Sequence, residues 1–263
     1  MKSFHLAAAA ISLVLAFHSQ AADPASPMSA GELASRLSTL RQTGSSYVRL
    51  RMEINGARKE TLQLQIKERR SKNATDVVYQ VLWPKERKGE SVLLRKSGAR
   101  AASGAVFTPP NTLRTIDDLK GSLLGSDLSY EDVVEDFFAW DRQALVGAEA
   151  VDGVTCQILE SKPDKGDRST YGSVRSWIDT RRMVPLRVEK FSGSGQLLRR
   201  IDTTRVVADA GHHIPANLAV SGARRGSSTE LDGSRIKHDV AYTGRDFTTE
   251  GIKEVATPRG SQD

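Results

Sequence analysis

Five carboxylates fall within the stretch GSDLSYEDVVEDFFAW, residues 125–140: Asp127, Glu131, Asp132, Glu135 and Asp136. Carboxylates this close together can divide acid and base roles or hold a divalent cation, provided that at least one is drawn out of water. The spacing of their apolar neighbours argues for something else. From Ser129 onward, Tyr130, Val133, Val134, Phe137 and Phe138 recur at i, i+3, i+4, i+7 and i+8, which predicts one helix with a continuous apolar face. Glu131, Asp132, Glu135 and Asp136 then lie on the opposite face, in water. Ser129 with Asp132 resembles a capping box, and early carboxylates suit the positive end of a helix dipole. The acidic residues are therefore expected to start a helix and keep its outer face wet, without chemistry.

The other reactive residue types are sparse. Beyond the leader described below there are three histidines, His212, His213 and His238. The adjacent pair points to opposite faces of an extended segment and makes a poor chelating pair. Cys156, the only cysteine, sits in the alternating run VTCQILE, where it reads as a small buried hydrophobe. No G-x-S-x-G elbow, H-E-x-x-H pair, C-x-x-C or phosphate-binding loop occurs. The expectation is a protein that is not an enzyme and uses no cofactor or metal.

The elements that position these residues are mostly strands. One short amphipathic helix comes first: Ser29 with Glu32 fits a capping box, Leu33, Leu37 and Leu40 follow at helical spacing, and Gly44 is a stop. In SSYVRLRMEIN, Val48, Leu50, Met52 and Ile54 share one face. Asn55-Gly56 signals a hairpin, and ETLQLQIKER returns with Leu62, Leu64 and Ile66 on one face and Gln63, Gln65 and Lys67 on the other. These strands read as having one wet side. DVVYQVLWP is apolar on both faces and should lie deeper. SVLLRK, AVFTPP, GVTCQILES, VRSWIDT, PLRVEKF, QLLRRIDTTRVV, PANLAVSGA and SSTELDGSRIKHDVAYT bring the count to ten or eleven. With no linker and no internal repeat, residues 22–263 are expected to form one mainly antiparallel β domain with few helices.

The chain of 263 residues begins MKSFHLAAAAISLVLAFHSQAAD, with a basic n-region at Lys2 and an apolar run from Leu6 to Phe17. That run is too short to cross a bilayer, and Ser19-Gln20-Ala21 supplies small residues for signal peptidase, so cleavage is expected after Ala21. No cysteine lies near the cleavage point, so an N-terminal lipid anchor is not expected. The whole chain carries a formal charge of +6. Losing Lys2 leaves the mature protein near +5, and export makes nucleic acid an unsuitable partner. A basic surface suits transient contact with anionic headgroups or an acidic protein.

GSLLGSDLSYEDVVED resembles the hallmark of the outer-membrane lipoprotein-sorting protein family, the LolA-like carriers, in which a segment similar to GSDFSYEDL recurs. VDGVTCQILESKP, VRSWIDTRRMVPLRVEKFSGSGQLLR and GHHIPANLAVSGARRGSSTELDGSRIKHDV resemble that family's later order, so the similarity runs from about Ser45 to Val255. It departs at Leu128, where the family pattern has an aromatic, and at the bulkier Phe137-Phe138-Ala139-Trp140. The resemblance implies an incomplete antiparallel β-barrel of about eleven strands, curved around an apolar cavity and covered by short helices. It also implies a periplasmic carrier that shields the acyl chains of a lipoprotein or lipid between membranes, with an inner-membrane transporter as a further partner. A sensor or adaptor docked to an envelope transporter is the alternative.

Pattern alone leaves open whether the acidic helix plugs a core or covers a cavity, and the resemblance favours the cavity. Its expected lining is Val48, Leu50, Met52, Ile54, Leu62, Leu64 and Ile66 from the strands, with Val133, Val134 and Phe137 from the helix. Leu123 and Leu124 join them from a loop whose flanking glycines, Gly121 and Gly125, suit hinges.

Overall fold

The computed structural model describes residues 28–41, 44–71, 74–98, 100–164, 169–209, 211–222 and 226–257, without the side chains of 234 and 235. The expected leader and its cleavage after Ala21 lie outside the described residues. The chain opens with helix α1 (Ala30–Arg41), where one half of the expected capping box is present: the Glu32 N–H donates to Ser29 Oγ at 3.2 Å, while the Glu32 carboxylate pairs with Arg36. No helix among the described residues is long and apolar enough to cross a membrane.

Two antiparallel meanders follow. The first runs β1 (Ser45–Asn55), β2 (Glu60–Ser71), β3 (Ala74–Trp83), β4 (Ser91–Ser97), β5 (Ser103–Thr108) and β6 (Thr112–Thr115). The second runs β7 (Arg142–Val151), β8 (Val154–Lys162), β9 (Ser173–Asp179), β10 (Val184–Phe191), β11 (Leu197–Asp209), β12 (His212–Ser221) and β13 (Ser228–His238). Within each arm every strand pairs with the next in the chain, and one long-range pairing, β1 with β13, joins the arms into a single 13-stranded sheet. The sheet does not close, since β6 and β7 are its two edges. This is the mainly β, incomplete-barrel architecture expected. The β1–β2 hairpin turns through residues 56–59 after Asn55, so the Asn-Gly signal is right in place although the loop is longer than two residues.

That topology dictates what covers the sheet. The end of β6 and the start of β7 lie on opposite edges, so the connection 116–141 has to cross one face, here called the inner face. Its first half packs Leu123, Leu124, Leu128 and Val134 against Met52, Ile54, Leu62, Leu64, Val77 and Val92 of the first arm. Its second half packs Phe137, Phe138 and Trp140 with Leu33 and Leu37 of α1 against Leu159, Val174, Ile178 and Val188 of the second arm. Gly121 permits the close fit, because a Cβ there would sit 2.8 Å from the Tyr130 ring.

The side of the first arm read as wet is covered as well. Gln65 and Lys67 are buried beneath residues 242–256. Phe247 and Ile252 of that segment pack on Val78, Leu93 and Phe107. The segment presents backbone carbonyls to the sheet, and Gln80 Nε2 donates to those of Ile252 and Glu254 at 3.1 and 3.0 Å. Polar residues at this face thus satisfy a covering backbone rather than water.

Candidate functional site

The acidic stretch does not form the continuous helix its spacing predicts. Helix α2 covers only Tyr130–Val134, Glu135 is extended, and a separate 3-10 turn spans Phe137–Ala139. Nor do the carboxylates face water: Asp127 and Glu131 are 0% and 1% exposed. Each one ties the crossing to a different part of the molecule. Asp127 accepts from Thr229 Oγ1 at 2.9 Å and from Ser227, on the β13 side. Glu131 accepts from the Thr170 N–H at 3.0 Å and Ser169 Oγ at 2.5 Å, ahead of β9. Glu135 pairs with Lys96 of β4 at 2.8 Å, whereas Asp136 accepts from Ser38 Oγ of α1 at 2.7 Å. Glu135 is drawn to β4 and Asp136 to α1, and the helix stops at Val134 where these ties begin.

Asp132 alone in this set faces two buried cations. It completes the capping box on Ser129, pairs with Lys190 Nζ at 2.7 Å and with Arg199, and accepts from the Tyr171 hydroxyl at 2.7 Å. Burial pushes the Asp132 carboxyl up, but the Lys190 and Arg199 charges outweigh it and hold the group below the usual carboxylate range. Burial, and then the negative charge of Asp132, push the Tyr171 phenol well above its ordinary value. The cations come from facing positions of β10 and β11, where Lys190 pairs with Arg199 and, one inner-face step along, Val188 pairs with Ile201. The sequence carried a signal for this cluster in PLRVEKF, where Val188 and Lys190 share a face that period-two alternation should keep apolar.

Beside the cluster lies an apolar hollow of about 750 Å³. Its walls are Leu37 and Leu40 of α1, Phe137 and Phe138 of the 3-10 turn, Val188 and Ile201 of the sheet, and Ile214 and Leu218 of β12. Polar residues stand among them: Arg41, His212, His213, Asp239, and the pair His238–Asp209. Burial pulls the Arg41 guanidinium below its ordinary value against the opposing charge of Asp136.

Of the residues expected to line a cavity, Phe137 stands on this wall. Met52, Ile54, Leu62, Leu64, Leu123, Leu124 and Val134 are buried together in the first arm, with Leu50, Ile66 and Val133 partly buried against them. Val48 is half-buried, opposite Ile66. The residues that line the hollow from β11 and β12 belong to runs recognised as strands, but nothing in their alternation separates a filled face from an unfilled one. Among the described residues no three His, Cys, Asp or Glu come together to hold a metal ion.

A family model described as "Uncharacterized protein" matches residues 73–254, more than half of the chain. No curated protein matches in sequence. Among solved structures, a DUF1329 family protein from Desulfovibrio piger is similar with a TM-score of 0.79 and 24% identity, over 85% of this chain and 97% of that one. An outer membrane lipoprotein-sorting protein domain from Vibrio parahaemolyticus gives 0.77 and 21%, over 86% and 98%. A LolA superfamily protein from Nitrosomonas europaea gives 0.67 and 20%, over 84% and 98%. The chain belongs to the family of that matching model, and its fold is the LolA-like fold of outer-membrane lipoprotein-sorting proteins.

Proposed function

We propose that this protein is a non-catalytic periplasmic carrier that holds acyl chains of a lipoprotein or lipid and passes them between membranes. The observation that carries this reading is the apolar hollow between α1, the 3-10 turn and strands β10–β12. Its size falls inside the range of about 300–1,000 Å³ usual for small-molecule sites. Each methylene moved from water into such a space gains about 0.8 kcal/mol, so shielding an acyl chain needs only a concave apolar surface and a cover, with no reaction. Export through a signal cleaved after Ala21 would place the protein where such cargo moves. Loading and release would take place in transient contact with a membrane surface, with an inner-membrane transporter as donor.

The packed rows of the first arm enter this scheme through the crossing segment. If α2 and the loop before it swing away on Gly121 and Gly125, then Leu50, Met52, Leu62, Leu64 and Ile66 become an extension of the hollow. Chains longer than the closed hollow can then be accommodated.

Native mass spectrometry of the mature protein taken from its own envelope, with lipid extraction, tests the proposal. A bound acylated species is expected, and it should disappear in Ile214→Glu while circular dichroism stays unchanged. Leu113→Glu, on the exposed edge strand β6, should keep it. A protein that emerges empty and also ignores added lipids and acylated peptides would end the carrier reading.

A further inference from the structure

Lys190 and Arg199 present two buried positive charges to the inner face, and among the described residues Asp132 is the one carboxylate paired with both. The cluster thus holds an excess of one positive charge away from water, which is costly unless an anion completes it. One of its donors is unused. Arg199 Nη1 donates to Asp132, to the Tyr171 hydroxyl at 2.6 Å and to Ser129 Oγ at 3.4 Å, whereas Arg199 Nε is sealed from solvent without a hydrogen-bond partner. Buried guanidinium N–H groups are rarely left unpaired in native proteins.

The position of this unfilled donor relative to the hollow gives it a meaning. Val188 and Ile201 line the hollow, and Lys190 and Arg199 are the next facing pair along the same strands and the same face. Phe137 belongs to both places: its side chain is on the wall of the hollow, and its ring centroid lies 5.3 Å from Lys190 Nζ. The Phe137 ring thus adjoins both the cations and the apolar space. A guanidinium offers paired donors to a carboxylate or a phosphate, and an ammonium adds a point charge beside it.

Resting on the carrier reading, we infer that the Lys190–Arg199 pair is an anion subsite at the inner end of the hollow, and that the cargo is an amphiphile whose anionic head enters first. The head, a carboxylate or a phosphate monoester, takes Arg199 Nε and competes with Asp132 for the cations. Binding then loosens the tie that holds α2 to the sheet, so the same anion that is recognised also releases the crossing.

The test compares hexadecanoate, hexadecyl phosphate and methyl hexadecanoate, each displacing a fluorescent acyl probe from the mature protein. The wild type is expected to bind the anions about tenfold or more tighter than the ester, as charge-assisted hydrogen bonds imply. Arg199→Met should reduce that preference to within about twofold, and Asp132→Asn, which removes the competitor, should increase it. The tighter anion identifies the head as carboxylate or phosphate. Equal binding of acid and ester by the wild type, or an unchanged preference in Arg199→Met, overturns the subsite while leaving the carrier reading intact. Failure of all three ligands to bind overturns both. Should the variants fail to fold, the infrared carboxylate band of hexadecanoate bound to the wild type decides. A head that stays ionised below about pH 4 supports the subsite, and one that titrates as a free carboxylic acid near about pH 4 to 5 overturns it.

Discussion

The two arms of this sheet cover the same inner face in opposite ways. In the first arm, apolar residues from four strands meet Leu123, Leu124, Leu128 and Val134 in a filled core. In the second, the cover is α1 and a cluster of aromatics, and an apolar hollow stays open between them and β10–β12. Both arms alternate apolar and polar residues along their strands, so alternation by itself does not decide between a core and a cavity. What decides is the cover. The crossing lays four large aliphatic residues on the first arm, then leaves it at Glu135, and the hollow begins where the crossing no longer lies flat.

The largest expected effect tests what holds that cover down. Asp132→Ala removes the carboxylate shared by Lys190 and Arg199 and leaves both cations buried without it. Breaking a buried ionic group from one side costs about 3–5 kcal/mol, and urea unfolding of the variant should show a loss of that size. A loss below about 1 kcal/mol would mean that the ties at Asp127, Glu131, Glu135 and Asp136 hold the crossing without Asp132.

Next in size is a truncation in the filled arm. Leu64 is 1% exposed and packed on all sides. Leu64→Ala should cost about 2–5 kcal/mol, because the surrounding strands cannot collapse into the space. It should leave binding of an acyl chain short enough for the closed hollow unchanged, and a selective loss of such binding at constant stability would place Leu64 on the wall of the closed hollow itself.

The comparison also shows how far the residues themselves announce the structure. Eleven of the thirteen strands are legible as runs of alternation or apolar stretches. The two that are not, β6 and β7, are the two edges. All of β6 is exposed, as is β7 apart from its second residue Gln143 and its last, Val151, so no buried face imposes a period of two on them. The acidic segment misleads for the opposite reason. Its helical spacing is real, and α2 with its capping box forms where it should, but side-chain ties to β4 and to α1 override the local pattern from Glu135 onward. A carboxylate on the polar face of a helix looks the same in sequence whether it meets water or a buried lysine. Only the partner distinguishes the two, and Lys190 and Arg199 lie far along the chain, in strands whose own alternation they interrupt.

Acid should discriminate between the arms more gently. The folded-state value of Asp132 is depressed, so its contribution is fully present above the unfolded aspartate value of about 3.9 and is lost as pH falls through the lower folded value. Asp179 and Asp246 are depressed too: burial pushes both up, and hydrogen bonds from Arg182 to the first and from Thr243 and Lys67 to the second reverse it. Urea midpoints of the wild type should therefore decline between about pH 5 and about pH 3, and Asp132→Asn should decline less over the same window. Parallel declines would show that the acid-sensitive ties lie elsewhere, in the outer covering or the β9–β10 turn.

The smallest effect on stability bears most on function. Ile214 is half-buried on β12 and faces the hollow, so truncating it enlarges a space that already exists instead of opening a new one. Ile214→Ala should cost below about 1 kcal/mol, well under the range for a packed core residue. It also removes apolar surface from the site, so acyl affinity should fall by about three- to tenfold, as expected for lost methylene contacts at about 0.8 kcal/mol each. Leu64→Ala and Ile214→Ala thus make opposite demands, stability lost with binding kept against binding lost with stability kept. If Ile214→Ala instead loses as much stability as Leu64→Ala, the hollow is packed in solution, and the second arm is a core like the first.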